Sequence, residues 1–106
     1  IKDHKADPSF LGYNGFPASL CISINEVVVH GIPSNQELLD GDIVSIDCGV
    51  KFNGYHADSA YTYAVGHVNE KIKQLLKITK DSLYEGIKQV EQGARIGDVS
   101  HAIQVY

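Results

Sequence analysis

Three stretches of the chain have apolar patterns that predict strands, by alternation of apolar and polar residues or by runs of β-branched residues. In residues 19–24, two isoleucines and a leucine share one face. Residues 27–30 are three valines and a histidine, and β-branched residues favour a second strand. Residues 42–66 contain two longer apolar runs. We expect a turn at residues 25–26, and an end to the second strand at residues 31–33, where a proline stops the ladder.

The two long runs are joined by Asn53-Gly54, which predicts a β-hairpin with a two-residue turn. Each strand of this hairpin carries one aspartate, Asp47 or Asp58. Asp47 stands between apolar neighbours, and a buried carboxylate needs a partner.

The turn also fixes the register of the hairpin. With Asn53 and Gly54 as the turn residues, Asp47 lies opposite Ala60 and Asp58 lies opposite Gly49. The two aspartates then share a face as diagonal neighbours, with backbone positions roughly 7–8 Å apart. Because Gly49 has no side chain, we expect an empty space beside the two carboxylates.

After residue 66 the apolar period changes to that of a helix. Asn69 is a suitable N-cap, and Gly93 is a suitable C-cap. We expect this long helix to lie on the sheet and to bury its apolar stripe there. The stripe consists of Ile72, Leu75, Leu76, Thr79, Leu83, Ile87 and Val90.

Residues 95–106 predict the start of a second helix, with Asp98 near its N-terminus. Its apolar stripe continues to Tyr106 without a stop signal, and the chain contains no methionine. We therefore expect a fragment of a larger protein, in which residues 1–106 form a single partial domain.

Composition narrows the classes of function. The chain has 106 residues, a net charge of −4 and nine scattered lysines and arginines, so no basic nucleic-acid surface is expected. No apolar run reaches the roughly 20 residues that span a membrane, and no signal-peptide pattern begins the chain. Cys21 and Cys48 are too few for a disulfide framework, which favours reduced thiols and a cytoplasmic protein.

The strongest chemical hypothesis is half of a metal site, because two close carboxylates repel each other unless a cation or a proton lies between them. The alternative is that Asp47 and Asp58 are solvated surface charges. His30 follows the valines and is either a strand-end residue bonded to backbone or a hydrogen-bond donor at the rim of the site. We expect His56, near the turn, to be exposed. No nucleophile or phosphate-loop motif is present, so metal-assisted hydrolysis is the favoured enzyme class.

Two motifs carry a family resemblance. GYNGFPASLCISINEVVVHGIP, at residues 12–33, and DGDIVSIDCGVKFNGYHADSAYTYAVG, at residues 40–66, resemble the N-terminal half of the type I methionine aminopeptidases. The first motif is specific to that branch. The second is shared with prolidase and aminopeptidase P relatives, which makes such a relative an alternative.

The resemblance implies an α+β fold, namely half of a pita-bread fold with a curved antiparallel sheet backed by a long helix. It also implies two divalent metal ions, with cobalt, manganese, iron, zinc and nickel all open. Asp47 would bind one metal ion, and Asp58 would bridge both. His30 would contact the substrate and act in catalysis. Tyr13, Phe16 and Cys21 would line the pocket for the methionine side chain, with Phe10 at its edge.

The implied reaction removes the N-terminal methionine of nascent polypeptides, in a protein expected to be a cytoplasmic monomer without nucleic-acid or membrane partners. The family's other ligands, one histidine and two glutamates, have no matching motif in this sequence. We therefore expect this chain alone to be inactive, to bind metal weakly or not at all, and to be prone to self-association. A non-catalytic binding protein of the same fold is the third interpretation.

Overall fold

The computed structural model describes all residues, 1–106, and divides them into two compact units, Ile1–Val68 and Asn69–Tyr106. The first unit contains an antiparallel β-sheet, and the second contains two α-helices. The predicted α+β class is therefore confirmed. The placement of the long helix on the sheet stays a prediction.

The long strand Ile43–Phe52 is central to the first unit, because it pairs with every other strand of the sheet. Its partner in the hairpin takes one edge along its full length, so the two short strands share the other edge. All pairings are antiparallel. The strands are β1 (Asp7–Pro8), β2 (Cys21–Ile24), β3 (Ile43–Phe52) and β4 (Tyr55–Ala64), and short 3₁₀ turns cover Lys2–His4 and Tyr13–Gly15.

The hairpin of β3 and β4 has the predicted turn and register. Asn53 and Gly54 both adopt positive φ angles, 49° and 84°, as a two-residue turn with the twist of the flanking strands requires. Asp47 pairs with Ala60, and Gly49 pairs with Asp58. The turn residues alone were therefore sufficient to place the two carboxylates.

The strand predicted at residues 27–30 is wrong. These residues form an exposed loop, and the side chain of Val28 is 80% exposed. Asn25 takes a left-handed φ of 51° and the Val27 amide bonds back to the Ile24 carbonyl, which turns the chain away from the sheet. β-branched residues favour a strand only where they pair with a neighbouring edge. The outer edge of β2 is free in this sheet, but the chain bonds to it again at Gly31, whose carbonyl accepts from the Ile22 amide.

This loop is fixed at its base by the side chains of Asn25 and Asp42. The Asn25 amide donates to the Asp42 carboxylate at 2.9 Å, and the Ile43 amide donates to the Asn25 side-chain oxygen at 3.0 Å. The Leu39 amide donates to the other Asp42 oxygen at 2.8 Å. The Asn25 bond, followed by the Leu39 bond, lowers the pKa of Asp42, so both ends of the loop between β2 and β3 are held by an ionised carboxylate.

The second unit consists of α1 (Glu70–Ile87) and α2 (Ile96–Val105). Asn69 caps α1 as predicted, since its side-chain oxygen accepts from the Ile72 amide at 2.9 Å. Asp98 lies in the first turn of α2, also as predicted, and accepts from the Arg95 amide. Neither helix is long and apolar enough to cross a membrane.

The predicted end of α1 at Gly93 is wrong, because the helix ends at Ile87. Gly93 has a φ of 96° and lies in the connection to α2 instead. Near the end of α1, Gly86 packs under Ile103 of α2, where an added methyl would meet the Ile103 side chain at 2.8 Å. Gly86 therefore provides the space in which α2 packs against the end of α1.

Candidate active site

The hairpin brings two carboxylates together beside a strand that carries a thiol. Asp47 pairs with Ala60 of β4 on one side and with Cys21 of β2 on the other. Asp58 lies one diagonal step from Asp47 on the same face of the sheet. Asp47 is half-buried and Asp58 is exposed.

The environment of Asp47 is unfavourable for an isolated carboxylate. One of its oxygens, Oδ1, is buried and has no hydrogen-bond partner. Burial raises the pKa of Asp47, and the neighbouring carboxylate of Asp58 raises it further. The charge of His30 and the Cys48 amide act in the opposite direction. A cation between the two carboxylates would remove both penalties.

The donor set fits part of a divalent-metal site. Carboxylate oxygens on two adjacent strands are rigidly held hard ligands. Oδ1 of Asp47 has no hydrogen-bond partner, so it is free to bind a cation. Divalent cations in proteins take roughly four to eight ligands. No three histidine, cysteine, aspartate or glutamate side chains of this chain form a metal-binding group. Asp47 and Asp58 can therefore be two ligands of a site whose other ligands lie elsewhere.

A cavity of about 540 Å³ opens over this face of the sheet. All the residues that the resemblance assigned to metal binding, catalysis or substrate binding contribute to its wall, and most of its lining is apolar or aromatic. The cavity thus joins a charged end, at the carboxylates, to an apolar end. The contributing residues predicted from the sequence are Phe10, Tyr13, Phe16, Cys21, His30, Asp47 and Asp58.

Cys21 forms a neutral part of this wall. Its side chain is only 4% exposed. Burial raises the pKa of the thiol, and the charges of Asp47 and Asp58 raise it further. The thiol therefore stays protonated at neutral pH and acts as a small apolar surface beside the carboxylates.

The empty space expected beside Gly49 is a wrong prediction, because the ring of Phe10 occupies it. A methyl group on Gly49 would lie 2.4 Å from Cε1 of Phe10. The Ser9 amide donates to the Gly49 carbonyl at 2.9 Å, which brings the aromatic segment onto β3. Phe10 and Gly49 are far apart in sequence, so their contact leaves no local pattern. The sequence therefore predicted a space beside Gly49 but not that the Phe10 ring fills it.

His56 lies outside the cavity and is exposed, as predicted. Its Nδ1 lies 2.9 Å from the Ser9 hydroxyl, so it helps hold the segment that leads into the aromatic wall. The cavity is also lined by Asn14, Gly15, Pro17 and Ile32. The first three lie in residues 10–17, whose glycines, proline and aromatic residues are typical of a loop that either packs by its aromatic side chains or forms the wall of a ligand pocket. The sequence carried no signal for Ile32 as a lining residue.

Comparison with known proteins gives one family for the whole chain. The model of metallopeptidase family M24 matches residues 2–106. Methionine aminopeptidase 1 of Bacillus subtilis is 55% identical over 106 residues, which are 100% of this chain and 43% of that protein. The chain therefore spans less than half the length of this relative.

Solved structures give the same result for the fold. The crystal structure of methionine aminopeptidase from Rickettsia prowazekii matches with a TM-score of 0.95 and 47% identity, over 100% of this chain and 43% of that one. Prolidase from Pyrococcus furiosus matches over 81% of this chain and 26% of that one, with a TM-score of 0.74 and 24% identity, which shows a shared fold alone. The predicted half of a pita-bread fold is confirmed, and the chain belongs to metallopeptidase family M24.

Proposed function

We propose that this chain is the N-terminal half of the catalytic domain of a methionine aminopeptidase, which hydrolyses the first peptide bond of nascent polypeptides. The observation that carries the proposal is the single cavity that joins the Asp47–Asp58 pair to an aromatic wall. The strong likeness to methionine aminopeptidases supports the same activity. The proposal includes a cytoplasmic protein, monomeric when complete, without a nucleic-acid or membrane partner.

In this proposal, the charged end of the cavity holds the metal ions and the apolar end holds the methionine side chain. Asp47 and Asp58 would hold the divalent ions. Divalent metal ions at such a site supply Lewis-acid activation of the scissile carbonyl and of the attacking water. Tyr13 and Phe16 offer aromatic surface to the thioether, a contact worth about 0.3–1.5 kcal/mol.

His30 and Cys21 have different parts in this arrangement. The His30 imidazole, at the wall of the cavity, hydrogen-bonds the substrate where charge develops during hydrolysis. The protonated Cys21 thiol closes the pocket next to Asp47 without adding a third negative charge. These two residues would therefore orient the substrate, while the metal ions that Asp47 and Asp58 would hold would supply the activation of the water.

The competing functions are less well supported. A prolidase-like specificity has only a fold-level likeness behind it, and the aromatic pocket suits an unbranched thioether side chain. A non-catalytic binding protein has no need for two close carboxylates that carry an unsatisfied buried oxygen. The manganese-loaded complete protein should therefore release methionine from Met-Ala peptides, fail on Xaa-Pro peptides, and lose activity on chelation.

The 106-residue chain by itself should release no methionine, because two carboxylates do not complete a metal site. A titration with Mn²⁺ should show weak binding or none. Steady methionine release by the isolated chain would contradict the proposal that the metal ligands other than Asp47 and Asp58 lie outside these 106 residues. Preference of the complete protein for Xaa-Pro peptides would replace the proposed activity with that of a prolidase.

The contact between Gly49 and Phe10 gives a test of the pocket. Gly49→Ala should push the Phe10 ring out of its position, because the new methyl would lie 2.4 Å from Cε1. We expect KM for a Met-Ala peptide to rise about 10-fold, equivalent to roughly 1.4 kcal/mol of lost binding. Gly97→Ala is the matched control, since a methyl there meets nothing within 4 Å. Equal KM values for both variants would show that the Phe10 ring does not shape the substrate pocket.

A further inference from the structure

Gly31, the residue after His30, is docked onto β2 by two hydrogen bonds. Its amide donates to the Ser23 hydroxyl at 3.0 Å, and its carbonyl accepts from the Ile22 amide at 2.9 Å. A methyl group on Gly31 would lie 2.1 Å from the Ile22 carbonyl oxygen. Only glycine allows the loop to approach the strand this closely, so the position of residue 31 is fixed by backbone contact.

Ser23 is a buried polar side chain, with 3% of its surface exposed. It lies two residues after Cys21 on β2, so its side chain is on the same face as Asp47. The Gly31 amide is the partner that satisfies this buried hydroxyl. A serine at this position therefore links the interior of the sheet to the loop that carries His30.

His30 itself has an unusual backbone. Its φ is 60°, in the left-handed region that residues other than glycine rarely adopt. Such conformations persist where surrounding contacts hold them, and they are concentrated at functional sites. No strand ladder includes His30, so the docked Gly31 is the adjacent fixed point that directs its side chain to the cavity.

We propose that Ser23 is a positioning residue for His30, which acts by anchoring the Gly31 amide to β2. The inference rests on the proposed function insofar as His30 contacts the substrate. Without the Ser23 hydroxyl, the Gly31 amide loses its partner and only the bond from the Ile22 amide remains, so the imidazole is held less firmly over the cavity.

The test compares Ser23→Ala with Ser45→Ala in the complete manganese-loaded protein. Ser45 pairs directly with Ser23 across the strands, and its hydroxyl bonds the Thr62 hydroxyl of β4 at 2.7 Å. We expect Ser23→Ala to lower kcat for a Met-Ala peptide by about 10- to 100-fold, the cost of misplacing a catalytic group. KM should change less, and Ser45→Ala should stay within about 2-fold of the parent protein.

A double variant separates positioning from general damage. In a His30→Ala background, Ser23→Ala should have no further effect on kcat, because the group that it positions is gone. A loss of the same size in both backgrounds, or no loss in either, would overturn the proposal. Gly31→Ala offers a second route if Ser23→Ala does not fold, and its effect should depend on His30 in the same way.

Amide hydrogen exchange at Gly31, followed by NMR, tests the anchor without reference to catalysis. Exchange should be faster in Ser23→Ala than in the parent protein and in Ser45→Ala. Unchanged exchange would overturn the anchor. If the complete protein does not hydrolyse Met-Ala peptides at all, the proposed function fails while this measurement still decides the role of Ser23.

Discussion

Replacing Asp47 with asparagine should lower kcat/KM of the complete protein by more than about 100-fold, because loss of even an outer-shell partner of a metal ligand costs about 10- to 100-fold. Asparagine keeps the shape of the side chain and removes its charge. The metal affinity should fall in parallel. Calorimetric titration with Mn²⁺ and steady-state hydrolysis of a Met-Ala peptide measure the two effects.

The stability of the metal-free Asp47→Asn variant separates a ligand from a structural residue. Burial and the Asp58 charge both disfavour an ionised Asp47 when no cation is present. The metal-free variant should therefore melt at the same temperature as the parent protein or higher. Asp3→Asn, an exposed carboxylate in the first 3₁₀ turn, is the control and should change neither activity nor metal affinity. Full activity and full metal affinity in Asp47→Asn would remove Asp47 from the site.

His30→Ala should lower kcat by about 10²- to 10⁴-fold, the range for loss of a positioned acid–base or charge-stabilising group. Manganese affinity should remain close to that of the parent protein, because His30 contacts the substrate in this account. The same peptide assay and the same titration measure both quantities. This separation of activity from metal affinity distinguishes His30 from Asp47.

His101→Ala is the control for the loss of a histidine. His101 is exposed on α2, and alanine suits a helix. Its replacement should leave activity and melting temperature nearly unchanged. If His30→Ala lowers the manganese affinity as well as the activity, His30 is a metal ligand. Its assignment as a substrate-contacting residue would then be wrong.

Local patterns explain what the sequence could predict about this molecule. Asn53 and Gly54 can adopt the left-handed turn without help from distant residues, so they determined the register that pairs Asp47 with Ala60. Asn69 caps α1 through a bond to the amide three residues later. These features depend on neighbours in the chain, and a sequence displays such neighbours directly.

Contacts between distant residues explain what the sequence could not predict. The valines before His30 have strand propensity, but the chain turns away from β2 at Asn25 and bonds to its edge again at Gly31. Gly93 could have capped α1, yet the helix ends earlier, where Gly86 packs under Ile103. Such contacts join residues that are distant in sequence, so no local pattern predicts them.

In the candidate site, too, local patterns were predictable from the sequence and contacts between distant segments were not. The pairing of Asp47 with Asp58 followed from one turn, whereas the ring over Gly49 and the hydroxyl that anchors Gly31 join segments that are distant in sequence. A buried serine and a glycine are ordinary residues in a strand and a loop. Their link to His30 becomes visible only when the docking of the loop on β2 is known.

The central claim is that the hairpin supplies two metal ligands, and the most direct test is anomalous X-ray diffraction from crystals of the complete protein with manganese. The account predicts two anomalous peaks, one within bonding distance of both Asp47 and Asp58 and the other within bonding distance of Asp58. Manganese bound only at carboxylates outside the hairpin, with Asp47 Oδ1 still lacking a partner, would contradict it.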